Sequence, residues 1–346
     1  MRVLYIYSGK RKDRFNGRIG VDYPDTQFYG LNHLSKFGID AEYKEVSNIL
    51  KKIFGFRIAH MFMFFSVSNY DVVFGSSLMY MLFWNKFFKA KTKFVLLNIS
   101  LNRTISANKD KTLKKAFLMW LLKELDGVIC LSNHQKENLE KEAPFLKGRT
   151  FFTPLGVDIE YFEPVYNNRE DFILSVGKDN GRDYQTVVDT ARLMPEETFH
   201  IIASERNLKN IKNIPDNIKL FFDFSFDELK EKYKKAKMLL LITKEDNYSD
   251  GADCSGQTVL LDAMASGLPV IVSRKNYLID YIEKDKEVHL VDFYDAQDIK
   301  EAVNTINNDE KRFEIAKNAR KTVQNKLSTE HMAETLSFVF NKIYGK

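Results

Sequence analysis

Two groups of residues in this 346-residue chain have the types and spacing to hold a charged, hydroxyl-bearing ligand. The first is "SVGKDNGRDY", residues 175–184, where Lys178 and Arg182 bracket a short loop that opens at Gly177. At about 4 Å and an effective dielectric of about 20, each cation would gain on the order of 4 kcal/mol against a unit negative charge. A diphosphate is such a partner. The attraction grows as a leaving group takes on charge, so the pair can serve catalysis as well as binding. Lys and Arg are also common in solvated loops, and the segment by itself leaves both readings open.

The second group is "SGQTVLLDAMASGLPVIVS", residues 255–273, which reads as a buried helix feeding a buried strand with Asp262 inside its apolar run. A buried carboxylate without a partner is costly, so Asp262 must hold something. Helical spacing puts Ser255, Thr258, Val259 and Asp262 on one stripe. Ser255 is the candidate N-cap, Gly267 a C-terminal cap, and Pro269 lies just beyond. A helix start after strand "MLLLIT" and loop "KEDNYSDGADC" offers free N–H groups and partial positive charge to a phosphate. Asp262, about a turn and a half deeper, suits a ribose diol. The alternatives are a buried Lys or Arg as its partner, or a place at a solvent edge.

Strands alternating with helices must position these groups. In the first half "RVLYIYS", "VVFGSS", "KFVLLNIS" and "GVICLS" read as buried strands. A helix is expected over 28–37, ending at Gly38, and "NHQKENLEKE" is a charged helix with Asn133 as N-cap. The rhythm restarts after linker "VYNNRED" with "FILSVG", "TFHIIAS", "IKLFFD", "MLLLIT", "LPVIVS" and "VHLVD", and with helices near 184–193, 226–235, 257–266, 297–306 and 309–325. Near-continuous apolar strands separated by helices mean parallel sheets covered on both faces. The expectation is two Rossmann-like domains, 1–164 and 165–329, with the helix 330–346 free to complete either domain, by packing back on the first or by closing the second. Ligands of such sheets bind beyond the carboxyl ends of the strands.

Composition narrows the class. A chain 44% hydrophobic and 29% charged is globular rather than disordered. Its formal charge of +5 is too small to argue for nucleic acid. Cys130 and Cys254 offer neither a disulfide framework nor a metal cluster. The opening "MRVLYIYSGKRKDRF" lacks the pattern of a signal peptide, and no stretch supplies the ~20 apolar residues of a spanning helix. A cytoplasmic protein is expected. The stretch "FWNKFFKAKTKF", 83–94, interleaves aromatics with Lys86, Lys89, Lys91 and Lys93. It reads either as a contact with anionic lipid headgroups at the inner face of a membrane or as half core, half solvated face.

The segments "TPLGVDIEYFEP", "FILSVGKDNGRDYQTVV", "SFDELKEKYKKAKMLLLIT" and "SGQTVLLDAMASGLPVIVS" resemble, in order and spacing, those of family 4 glycosyltransferases. The resemblance implies a GT-B fold, two Rossmann-like domains facing each other across a cleft. It implies retaining, metal-independent transfer from a nucleotide-diphosphate sugar, a UDP-sugar before a GDP-sugar, with no cofactor. The acceptor would be a glycan, a lipid-linked sugar or a polysaccharide, as in polysaccharide biosynthesis. Gly177, Ser255, Gly256, Thr258, Val259 and Asp262 would hold the donor, with Lys178 and Arg182 on its diphosphate. A glycine loop after the first strand, Gly17 and Gly20 in "NGRIGVDYP", would approach the donor phosphate.

The pattern also departs from the family. The first of two family glutamates, near the donor sugar, falls on Cys254; the second matches Asp262. Asp250 or Asp253, just upstream, could substitute for the first, or the donor sugar is gripped differently. The departure motivates a second reading, a non-catalytic GT-B protein that binds nucleotide sugar or glycan and supports a partner enzyme. A nicotinamide-dependent oxidoreductase fits worst, since "YSGKRKDRFNG" lacks the G-x-G-x-x-G turn.

Overall fold

The computed structural model describes residues 1–7, 19–46, 48–167, 169–246, 248–283 and 286–345. The chain divides into two compact units, one of Met1–Asn16, Phe28–Pro154 and Glu330–Lys346, the other of Gly17–Gln27 and Leu155–Thr329. The division falls after Pro154 rather than at 164, because the segment that follows is bonded into the second unit. The Leu155 N–H donates to Tyr281 Oη (2.7 Å), and the Arg320 guanidinium donates to the carbonyls of Ile159 (2.9 Å), Phe162 (2.8 Å) and Ala265 (2.7 Å). Asp158 ties in residues 17–27 as well: its Oδ2 accepts from the Asp25 N–H (2.9 Å), and its own N–H donates to Thr26 Oγ1 (3.1 Å).

The first unit is a parallel sheet of β1 (Arg2–Tyr7), β2 (Asp40–Glu45), β3 (Val72–Gly75), β4 (Lys93–Asn98), β5 (Gly127–Cys130) and β6 (Thr150–Phe152), in the order β2-β1-β3-β4-β5-β6. The central strands are fully buried, as their apolar runs require. The edge strands β2 and β6 escape a sequence reading because one face of β2 is solvated ("DAEYKE") and β6 is three residues long. The helix expected over 28–37 is two 3-10 turns, Asp25–Phe28 and Leu31–Phe37. Tyr29 and Gly30 between them take positive φ, and a Cβ on Gly30 would sit 2.9 Å from the Ala333 nitrogen, so the backbone turns where the last helix crosses it. Ser132, not Asn133, caps the helix Asn133–Glu142, its side chain accepting from the Gln135 N–H at 3.0 Å. That last helix, Thr329–Tyr344, lies largely in this unit, with Phe340 edge-on to Phe74 at 5.4 Å.

The second unit carries β7 (Ile173–Val176), β8 (Phe199–Ile202), β9 (Ile218–Phe221), β10 (Met238–Leu241), β11 (Val270–Ser273) and β12 (His289–Val291), all parallel, in the order β12-β11-β10-β7-β8-β9. Its core packs Val187, Val188 and Ala191 of one helix and Ile299, Val303 and Ile306 of another against strand residues such as Ile173, Ile201 and Leu240. Strand order reverses between β7 and β10. The connections leaving these two strands run in opposite directions, so their carboxyl ends open a crevice where such sheets bind ligands. Both sequence motifs start there.

Candidate functional site

From β7 the chain passes Gly177 and turns through 178–182 into the helix Tyr184–Leu193. Asp183 caps that helix by accepting from the Thr186 N–H at 3.2 Å, and Tyr184 Oη donates to the Gly177 carbonyl at 2.7 Å. These bonds fix both ends of the loop and press Arg182 inward. Its side chain is only 6% exposed. A Cβ on Gly177 would lie 2.1 Å from Arg182 Nε, and one on Gly256 would lie 2.9 Å from Nη1, so two glycines make room for the guanidinium. Gly177 (φ 154°) and Gly256 (φ 95°) also hold backbone conformations that disfavour a side chain. Arg182 Nε and Nη1 are buried and have no hydrogen-bond partner among the described residues. A buried guanidinium left in that state is costly, and an anion brought to it would be held strongly.

The helix Gln257–Ala265 begins at the end of the loop that leaves β10. Its N-cap is Gly256 rather than Ser255. Ser255 instead donates from Oγ to Asp179 Oδ1 (2.6 Å), which also accepts from the Gly181 N–H (2.8 Å), so it fastens the helix start to the β7 loop. The Gln257 N–H goes to the Cys254 carbonyl (3.2 Å), and the first intrahelical bond runs from Leu260 to Gly256 (2.9 Å). The N–H groups of Thr258 and Val259 therefore have no acceptor within the helix. Thr258 is exposed and Val259 half-buried.

Asp262 is 7% exposed, and its Oδ1 has no hydrogen-bond partner among the described residues. No ion pair to it is found there either, so the structure supplies no buried Lys or Arg as its counterpart. Burial drives its carboxyl well above the ordinary carboxylate range, and the charge of Asp158 pushes the same way. The buried Tyr233 hydroxyl, without a hydrogen bond among the described residues, feels both Asp262 and Arg182. The two motifs thus converge on one locus at the switch point, although eighty residues of sequence separate them.

The remaining predicted residues lie around this pair to differing degrees. Lys178 is exposed and pairs with Asp223 (3.7 Å). Asp250 is exposed and accepts from Asn180 Nδ2 (2.5 Å) across the mouth of the β7 loop. Asp253 and Cys254 are half-buried just before the helix, with Cys254 near the Tyr277 and Tyr281 hydroxyls. Gly20 (φ 78°) makes a turn to the Tyr23 carbonyl (2.7 Å) beside Asp158. Gly17 lies outside the described residues.

Three polar groups escape a reading based on motifs. Thr243 Oγ1 and Glu245 Oε2, on the chain leaving β10, are buried without hydrogen-bond partners among the described residues, and Asp158 stands near Asp262. The sequence does carry a signal for Glu245, a carboxylate two residues beyond "LLLIT", but Asp250 and Asp253 lie nearer the helix start in the same loop. A cavity of about 330 Å³ borders the outer side of the β7 loop, where Asn180, Arg182, Arg206, Lys244 and Asp250 line it; Asp262 and the helix start at Gly256 do not. A larger one, about 670 Å³, sits at the other end of the strands, beside Arg169 and Lys237. Its charges are already used. Arg169 donates to the carbonyls of Gly267 (2.7 Å), Tyr233 (2.8 Å) and Ala236 (2.9 Å), while Lys237 bridges Asp171 (2.8 Å) and Glu197 (2.5 Å). It is a structural seam.

Residues 182–337 match the family model described as "Glycosyl transferase-like", a match that begins at Arg182. Spore coat protein SA of Bacillus subtilis (strain 168) is 23% identical over 247 residues, 62% of this chain and 64% of that protein, so less than two thirds of the relative's length is spanned. Sucrose-phosphate synthase from Thermosynechococcus elongatus superposes with a TM-score of 0.77 at 15% identity, over 99% of each chain. Anabaena HepE, solved in complex with UDP-glucose, gives 0.68 at 12% identity over 98% of this chain and 100% of that one. The fold is GT-B. Residues 182–337, within the second unit and the start of the last helix, are the part similar to a glycosyl transferase-like domain.

Proposed function

We propose that the protein transfers a sugar from a nucleotide-diphosphate sugar, a UDP-sugar before a GDP-sugar, to a glycan, lipid-linked or polysaccharide acceptor. The observation that carries this reading is the buried Arg182 guanidinium, with Nε and Nη1 unpartnered, beside the start of the helix that bears Asp262. The diphosphate would take Arg182 and the N–H groups of Thr258 and Val259, and Lys178 would swing from Asp223 to join them. The ribose hydroxyls would meet Asp262. HepE was solved with UDP-glucose, which favours uridine as the base.

With Arg182 and Lys178 as the charge compensation, transfer needs no divalent metal. The acceptor oxygen bonds to the anomeric carbon while the bond from that carbon to the β-phosphate oxygen breaks. The electron pair goes to the phosphate oxygen, which also takes the acceptor's proton. On this path the configuration at the anomeric carbon is retained and no separate base is required. Charge grows on the phosphate during the step, so the two cations stabilise the transition state more than the ground state.

Cys254, where the family has a glutamate, favours a second reading: a GT-B protein that binds the donor without turning it over. A thermal-stability screen with UDP, GDP, ADP and their sugars tests binding, since a ligand at about 100 times its Kd adds about 2.7 kcal/mol. Stabilisation by one nucleotide series in EDTA is expected; none in any series would overturn both readings. Release of labelled sugar then separates enzyme from binder.

A further inference from the structure

The first unit carries a surface that the donor chemistry does not use. Of the twenty large hydrophobic side chains exposed among the described residues, ten lie between 49 and 117. On the helix Asn48–Phe62 they include Ile53 and Ile58. On the neighbouring turn Met63–Ser66 and helices Met79–Phe88 and Thr112–Leu122 they are Phe65, Phe87, Phe88, Leu113 and Phe117. Ring contacts join the exposed phenylalanines into one strip. Phe65 meets Phe88 and Trp84 (both 5.8 Å), Trp84 meets Phe83 (5.4 Å), Phe83 meets Phe87 (5.3 Å), Phe87 meets Trp120 (6.3 Å), and Trp120 meets Phe117 (5.7 Å). A contiguous apolar surface of this kind marks an interaction site rather than scattered exposure.

Its charge says what it meets. Residues 48–126 hold thirteen Lys and Arg against four Asp and Glu, a surplus of nine in a chain whose whole surplus is five. Three of the four lysines in 83–94 are locally paired, Lys86 and Lys89 with Glu124 (both 2.7 Å) and Lys93 with Asp126 (3.1 Å), so that stretch alone is a weak basic patch. The surplus comes from its neighbours, Lys51, Lys52 and Arg57 on one helix and Lys109, Lys111 and Lys114 at the start of another, where Lys115 is paired with Glu142 (3.2 Å). Among the described residues no helix is long and apolar enough to cross a membrane.

We propose that this face seats the protein on an anionic membrane surface, phenylalanines in the headgroup–acyl boundary and the basic side chains against lipid phosphates. Apolar anchors combined with basic residues are what interfacial binding requires. A second copy fits worse, because a two-fold interface would set this positive patch against itself. The inference is independent of the donor site and would hold for a binder as well as an enzyme.

The test is flotation of the full chain with vesicles of equal parts phosphatidylglycerol and phosphatidylcholine, and with pure phosphatidylcholine. Binding to the anionic vesicles alone is expected. It should fall more than about tenfold in Phe87→Ser/Phe88→Ser, which takes two aromatic groups out of the interface, and in Lys51→Glu/Lys52→Glu. Ile279→Ser, at an exposed apolar site of the second unit, should leave it unchanged. Unaltered melting temperatures would show that the variants fold. Four results overturn the proposal: no flotation with anionic vesicles, equal flotation with neutral ones, flotation indifferent to the Phe pair, or a wild-type dimer in sedimentation that the Phe pair dissolves.

Discussion

At Asp262 the chain keeps a buried carboxylate that no cation among the described residues answers, and this has a measurable consequence. Burial and Asp158 raise its folded pKa above the ordinary value near 3.8. A raised carboxyl contributes stability that is complete below that value and is lost as pH rises through the folded pKa. Asp262→Asn should therefore melt higher than wild type at neutral pH, with the gap closing towards about pH 4, while nucleotide affinity falls because a hydrogen bond worth roughly 1.5–3 kcal/mol to a charged group is weakened. Loss of stability at neutral pH with unchanged affinity would show a structural Asp. Gly177→Ala probes the other side of the locus. Its Cβ would stand 2.1 Å from Arg182 Nε, so calorimetry should show weaker nucleotide binding in a chain that still folds. Sequence made both Arg182 and Asp262 visible as charge in apolar or glycine-rich surroundings. It could not show that Lys178 turns to Asp223, because a long side chain's direction is set by neighbours distant in sequence.

Among the elements, the central strands were legible because each is a short apolar run buried on both faces. Edge strands β2 and β6 were not, since a half-solvated edge lacks that signature. The 3-10 turns near residue 30 also hid, because the last helix, some 300 residues away in sequence, dictates the turn at Gly30. Ser255 looked like an N-cap by position, and Gly256 takes that place because its left-handed backbone frees the Ser255 hydroxyl for Asp179. This bond couples the β7 loop to the helix start. Ser255→Ala should cost only about 1 kcal/mol in unfolding. It should speed hydrogen exchange of the 178–182 amides selectively; an unchanged exchange pattern would mean the loop is held by other bonds.

For the whole molecule, sequence rhythm was enough for two Rossmann-like units but not for their membership. The crossing at 154 and the capture of 17–27 depend on hydrogen bonds of Asp158, Arg320 and Tyr281 that no local pattern announces. Stability against acid is also a property of the whole. Burial holds His60 and His200 down to about 4, His200 lying on Phe172 with Lys232 and Lys219 near it. A depressed histidine contributes stability present above about 6.5 and lost as pH falls through about 4, so the melting temperature should drop across that window and His200→Phe should flatten the drop. The central claim, that the switch-point locus of the second unit holds the diphosphate of a sugar donor, is tested most directly by one paired measurement in EDTA. Release of labelled sugar from UDP-, GDP- and ADP-sugars is followed for wild type and Arg182→Ala, with nucleoside affinity measured on the same samples. The account predicts metal-free turnover of one donor series, a loss of about a hundredfold or more in the variant, and nearly unchanged nucleoside binding. Equal turnover by both proteins, or activity that returns only with Mn²⁺ or Mg²⁺, would contradict it.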